Sequence, residues 1–202
     1  MIEYIMGHPD KWATALVEHL EIVGITLLAS LLLASILTFI SMTSRMLSRF
    51  LVYLFSVIYS IPSVALFAMM IPVTGLGKTT AITVLVVYNQ YLLLRNFIAG
   101  LNEVDPAIIE AATGIGMSNL QVLYKIRLPL SIKAFFTGIR LAVVSTISMA
   151  TIAAFINAGG LGDILFDGLR TMNVYKIVWG SVLAAGMAIG VNALLIRIEK
   201  SI

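Results

Sequence analysis

Cysteine is absent from this 202-residue chain, which removes any disulfide framework and any thiolate metal site. Charge is scarce as well. Asp, Glu, Lys and Arg make up 11% of the residues, against roughly 25% in soluble domains, and so few charges do not cover a water-facing surface. Histidine occurs only at His8 and His19, neither with metal-ligand spacing to a carboxylate pair, so no metal site is expected. No block of five basic residues occurs; the scattered Lys and Arg argue against a nucleic-acid partner and for a topological bias. The opening Met1–Asp10 lacks a basic stretch followed by an apolar run, so the first apolar segment is expected to remain as a span. The apolar runs contain no paired His, Ser or acid groups. Neither a catalytic residue nor enzymatic chemistry is expected in this chain.

What the chain does have is apolar length: 60% of it is hydrophobic, with a mean hydropathy of +1.03. No acid or base interrupts Ile22–Ser44, Phe50–Gly77, Leu141–Gly162 or Ile177–Ile196, and a shorter gap runs from Thr79 to Leu94. Crossing about 30 Å of hydrocarbon takes about 20 helical residues. Lipid offers the backbone no hydrogen-bond partners, and barrel-type alternation is missing, so helices are expected. The reading is an all-α membrane protein, one domain over 1–202, with five spans near 21–41, 50–73, 79–100, 133–157 and 175–197. With the N-terminus outside, the inner side receives Arg45, Arg49, Arg95, Lys125, Arg127, Lys133, Arg197 and Lys200. The outer side receives Lys11, Lys78, Arg170 and Lys176. The positive-inside rule then sets the N-terminus out and the C-terminus in the cytoplasm.

One connection is long, 101–132, and reads as two short helices. Asp105 caps the first, with Pro106 at its first position, and Gly114 and Gly116 end it. Ser118 and Gln121 form a capping box for the second, and Pro129 sets the turn into the next span. Such a hairpin is either a docking surface or a helix pair lying on lipid headgroups.

Within it stand Glu110-Ala111-Ala112, then Gly116 after three residues, Ile126 after nine more, and Leu128-Pro129 after one. This pattern resembles the "EAA" loop of permease subunits of binding-protein-dependent type I ABC importers. The resemblance implies a coupling helix seated in a separate cytoplasmic ATPase dimer. ATP and magnesium would be held by that partner, with no cofactor in this chain. It also implies a second permease, identical or paralogous, and an extracytoplasmic solute-binding protein, all at the bacterial inner membrane. Ile61-Pro62-Ser63, Leu94-Arg95-Asn96, Gly138-Ile139-Arg140 and Ala158-Gly159-Gly160-Leu161-Gly162-Asp163 resemble permeases for osmoprotectants such as glycine betaine, carnitine and choline. The Gly-Gly-Leu-Gly stretch is also similar to methionine importer permeases, so an amino-acid-like solute stays open. The rival from another class is a non-transport membrane scaffold whose hairpin recruits a partner.

Several residues invite sharper readings. Gly75–Thr80 imitates the end of a phosphate loop, but Pro72 stands where the first Gly is needed, and the segment joins two spans. Asn89 and Gln90 lie midway along the third span, and a buried amide there either lines a path or ties helices together. Asn157 faces the same choice. Arg140 pairs, lines a path or snorkels. Pro62 lies within the second span and is a pathway or gate candidate, and Gly159, Gly160 and Gly162 either shape an outer gate or end a helix. Asp163 and Asp167 are expected on a solvated outer loop.

Overall fold

The computed structural model of the chain describes residues 9–201; the readings of the first residues, His8 among them, lie outside that range. Ten α-helical segments, one π turn and one 3-10 turn follow one another among the described residues, and there is no strand. They are α1 (Pro9–Ser41), α2 (Arg45–Tyr59), α3 (Ser63–Thr74), α4 (Lys78–Asn102) and α5 (Pro106–Gly114). After them come α6 (Asn119–Val122), α7 (Leu128–Leu130), α8 (Ile132–Ile152), α9 (Leu161–Arg170) and α10 (Val174–Lys200). Among the described residues, four helices are long and apolar enough to cross a membrane: α1, α4, α8 with its continuation to Ile156, and α10. The last three match the expected spans closely.

Two expectations need correction. The first helix starts at Pro9 rather than near 21, so Lys11, Glu18, His19 and Glu21 are helical and not part of a loop. At 33 residues it runs about 50 Å, longer than hydrocarbon alone requires. The second span is not one helix. α2 and α3 meet at 97°, at Ser60-Ile61-Pro62. Pro62 has extended backbone (φ −56°, ψ 133°) and heads α3; its ring disfavours a helical Ile61 and it supplies no N–H to continue the ladder. The carbonyl of Ile61 accepts a hydrogen bond from the Tyr88 hydroxyl, which satisfies a group the break would leave bare in lipid.

α4 is the central element: half of its most apolar window is buried, against none of α10's. It packs against α8 and α1, and less extensively against α2 and α3. Two glycines bring α4 and α8 together. A Cβ added at Gly100 would lie 2.4 Å from the Ala134 Cβ, and one at Gly138 would lie 2.9 Å from the Asn96 Cβ. Lipid is as apolar as a leucine side chain, so helices in it associate through close packing and polar contacts rather than hydrophobicity. α1 displays this inversion. Its inward face carries His19, Thr26, Ser30, Ala34, Thr38 and Ser41, all buried, while Val17, Leu28 and Leu32 point outward.

Candidate functional site

At one end of the bundle stands the hairpin. The Asp105 side chain accepts from the Ala107 amide at 2.8 Å, as its capping role requires. α5 closes with paired bonds from Gly116 N to Thr113 O (2.9 Å) and from Met117 N to Ala112 O (3.1 Å). That closure needs a left-handed residue, which Gly116 supplies at φ +88°. Nothing lies within 4 Å of a Cβ placed there, so conformation rather than crowding demands glycine in this chain. The Ser118–Gln121 capping box is formed in both directions. After α6 the chain makes a π turn, Leu123–Arg127, in which the Leu128 amide donates to the Leu123 carbonyl. Pro129 follows without an amide, and its ring would clash with the Lys125 carbonyl in a regular helix; the wider turn relieves that clash. Pro129 therefore continues the helical path through α7 instead of turning the chain.

These local bonds hold an apolar rim in the open. Ile115 is 82% exposed and Leu120 58%. Glu110, Ala111 and Gly116 share this exposed surface, while Ala112 is buried behind it. Ile126 and Leu128 are half-buried and Pro129 is exposed. The Glu110 carboxylate has no ion-pair partner among the described residues.

The opposite end carries a pinned turn. α8 tightens into the 3-10 turn Ala153–Ile156, which ends on left-handed Asn157 (φ 59°). Gly159 (φ 87°) and Gly160 (φ 82°) follow, and Gly160 heads α9. The Gly160 amide donates to the Glu18 carboxylate at 3.0 Å. His19 Nε2 donates to the Ile147 carbonyl at 3.2 Å, and the Gly77 amide to the Ile156 carbonyl at 2.8 Å. Lys78 reaches Glu21 at 2.6 Å. Gly162 lies in the first turn of α9 and terminates no helix; its reason is space, since a Cβ there would meet the Thr151 carbonyl oxygen at 2.0 Å. The left-handed role expected of glycine at the end of the fourth span belongs to Asn157.

The sequence reading missed α9. Leu161, Ile164 and Gly168 fall on its buried face, a helical spacing that was available. Nor is Asp167 merely solvated: it pairs with Lys176 at 2.5 Å and with Arg170 at 3.0 Å. Those two cations hold its carboxyl down to about 2. Asp163 shifts the other way, raised by partial desolvation and by the nearby Glu18 charge.

Between the two ends the polar candidates are tied up. Asn89 is fully buried, and its Nδ2 donates to Thr146 Oγ1 (2.8 Å) and Ser30 Oγ (3.1 Å), joining α1, α4 and α8. Gln90, also fully buried, donates to the Val86 and Ser30 carbonyls at 2.9 and 3.3 Å. Their partners Ser30 and Thr146 went unnoticed in the sequence, although Thr26, Ser30, Ala34 and Thr38 repeat every four residues. Arg140 pairs with Glu199 on α10 at 2.8 Å. Pro62 sits at the α2–α3 break beside Tyr59, whose ring packs on Tyr88 and Tyr91.

Two cavities flank the hairpin. One, of about 820 Å³, lies between α2 and α4; the other, of about 710 Å³, lies between α1, α4 and α8. No pathway candidate lines either of them.

A bundle of this form, with a capped hairpin before α8, has counterparts among known proteins. Residues 25–201 match the family described as binding-protein-dependent transport system inner membrane component. The chain belongs to that family. The carnitine transport permease protein OpuCB of Listeria monocytogenes is 36% identical over 156 residues, spanning 77% of this chain and 72% of that one. The choline transport system permease protein OpuBB of Bacillus subtilis is 31% identical over 202 residues, 100% of this chain and 93% of that one. Among solved structures, the inward-facing methionine ABC transporter MetNI superposes with a TM-score of 0.86 at 20% identity, over 96% of this chain and 97% of that one. The permease is thus a membrane-embedded subunit of an ABC importer, and its curated relatives include permeases named for carnitine, choline and osmoprotectant transport and one of Helicobacter pylori named for ergothioneine transport.

Proposed function

We propose that the permease forms, with a second permease, the path for a small compatible solute such as glycine betaine, carnitine or choline. The hairpin seats in a separate cytoplasmic ATPase dimer that holds ATP and magnesium. The opposite end receives a solute-binding protein, so the N-terminus lies outside and the C-terminus in the cytoplasm. The observation that carries this reading is the apolar rim, with Ile115 82% exposed on a hairpin that its own caps hold rigid. A rim of this kind fits a protein groove better than water.

The mechanism is alternating access. ATP draws the two ATPase subunits together, and each pulls its hairpin as a lever. α7 is separated from α8 by Ser131 alone, so the force enters α8 directly. At the other end α8 runs into the turn at Asn157, Gly159 and Gly160, the proposed gate, which Glu18 latches to α1. Hydrolysis releases the hairpins and restores the inward-facing state. The solute assignment rests on the osmoprotectant relatives, which resemble the chain in sequence more than the methionine transporter does.

The test is Gly116→Trp and Glu110→Lys in the assembled transporter. Both variants should insert normally and lose solute uptake while the ATPase still turns over ATP. Normal uptake by both would remove the docking assignment. Uptake of labelled glycine betaine, carnitine, choline and methionine by the unmodified complex then decides the solute.

A further inference from the structure

Four arginines near the hairpin line one cavity. Arg45 and Arg49 from α2, Arg95 from α4 and Arg127 from the π turn surround the space of about 820 Å³. None of the four has a carboxylate within ion-pair distance among the described residues. Arg95 is held in place by the Tyr91 hydroxyl at 2.9 Å, with its guanidinium 5.9 Å from that ring's centroid.

The start of α2 adds a second observation. Its first turn contains no acidic residue, and Ser44 gives its N-terminus no side-chain cap. A helix N-terminus carries partial positive charge and favours anions. Arg45 at its first position is the opposite of what that end prefers, unless an anion comes from outside the chain.

The third observation names the anion's carrier. The cavity of about 710 Å³ is walled by apolar side chains such as Ile36, Phe39 and Phe135. Met42 and Leu101 line both cavities, so the arginine cluster and the apolar groove adjoin across those two residues. A ligand that fills both has an anionic head and a long apolar tail. Basic pockets between spanning helices are suited to such headgroups, because guanidinium groups bind phosphate in bidentate fashion.

We propose that this double cavity is a binding site for an anionic phospholipid. The phosphate sits among Arg45, Arg49, Arg95 and Arg127, and an acyl chain lies in the groove between α1 and α8. The site abuts the π turn of the hairpin, so the bound lipid buttresses the segment that joins hairpin to bundle. The proposal requires only that the chain spans a membrane, and stands apart from the docking assignment.

The experiment is retention of added phosphatidylglycerol by the detergent-purified full-length chain, measured by native mass spectrometry beside phosphatidylcholine and inorganic phosphate. The unmodified chain should hold phosphatidylglycerol and neither of the others. The double variant Arg45→Glu/Arg49→Glu should retain it about tenfold less or worse. Acid suits a helix N-terminus, so that loss is not a loss of α2, and an unchanged melting temperature verifies this. Ile36→Trp, which fills the groove, should also weaken retention. Lys133→Glu, an exposed charge on the same side but outside the cavity, should leave it unchanged. Equal retention by the double arginine variant would overturn the site. So would an equal loss in Lys133→Glu, which would mean diffuse surface attraction, or binding of phosphate alone as firmly as the lipid.

Discussion

The hairpin and the pinned turn are both short irregular segments at the ends of α8, yet they are stabilised in opposite ways. The hairpin closes on itself. Its bonds run between residues two to five apart, from Asp105 to Ala107, Gly116 to Thr113 and Ser118 to Gln121. Its outer face is open among the described residues, with Ile115 and Leu120 exposed. The pinned turn is held from a distance, by the Glu18 carboxylate on the Gly160 amide, 142 residues away, while His19 ties α1 to α8 at Ile147 and Gly162 packs on Thr151. A segment that folds by itself can be handed to a partner and moved as a unit. One woven into the bundle moves only when the bundle rearranges, which is what a latch needs.

The sharpest way to break this contrast is Gly162→Val. Its first added carbon would overlap the Thr151 carbonyl at 2.0 Å, a backbone atom that cannot rotate away. Overpacking of this kind costs about 3 kcal/mol or more, and α9 should detach. We expect a large drop in melting temperature and in yield of folded protein. A variant as stable as the parent would mean that α9 is not tied to α8.

Gly116→Ala is the counterpart in the hairpin. There the space is open and only φ +88° resists, so the expected cost is about 1–2 kcal/mol and local. The bundle's melting temperature should stay nearly constant while the hairpin becomes more susceptible to proteolysis. If the whole bundle destabilised with it, the hairpin would not be the self-contained unit its bonds suggest.

These two glycines also mark how far the sequence could be read. The hairpin was legible because its determinants are local: Asp105-Pro106, Gly116 and Ser118/Gln121 are cap signals within one turn of each other. The spans were legible because charge gaps register lipid directly. The bend at Pro62 was not, since Phe50–Gly77 is free of charge whether straight or broken, and the break is stabilised by Tyr88, 27 residues away. α9 was hidden by its glycines, which look like loop signals until Thr151 is seen to occupy the space a side chain would take. Of the polar candidates, Asn89 and Gln90 were found by residue type, but their role depends on Ser30 and Thr146, which only packing reveals.

Asn89→Leu tests that role. Removing bonds to Ser30 and Thr146 should cost about 0.6–2 kcal/mol, the range for interhelical hydrogen bonds in membranes. A tie gives lower melting temperature with unchanged solute affinity in transport. An unchanged melting temperature with altered affinity would instead make Asn89 part of the path.

The smallest effects belong to the two acids of α9, and their signs differ. Asp167 is depressed to about 2 by Lys176 and Arg170. Its contribution is therefore present above the ordinary carboxylate range near 4 and is lost as pH falls from about 4 towards 2. Asp163 is raised, by desolvation and by Glu18, so its ionised form is disfavoured in the fold and protonation relieves that as pH drops. At neutral pH, Asp167→Asn should lower stability slightly and Asp163→Asn should raise it slightly, each within about 0.5–1 kcal/mol. Melting curves of the two variants between pH 3 and 7 check this. The Asp167 difference should shrink towards the acid end because protonation of the parent already removes the pair. The Asp163 difference should shrink there too, from the opposite side, because the parent becomes neutral like the amide. Two curves converging on the parent from below and above would place the acids in distinct environments one helical turn apart. Parallel curves would return both to the ordinary solvated loop that composition suggests, and α9 would lose its electrostatic anchor to α10.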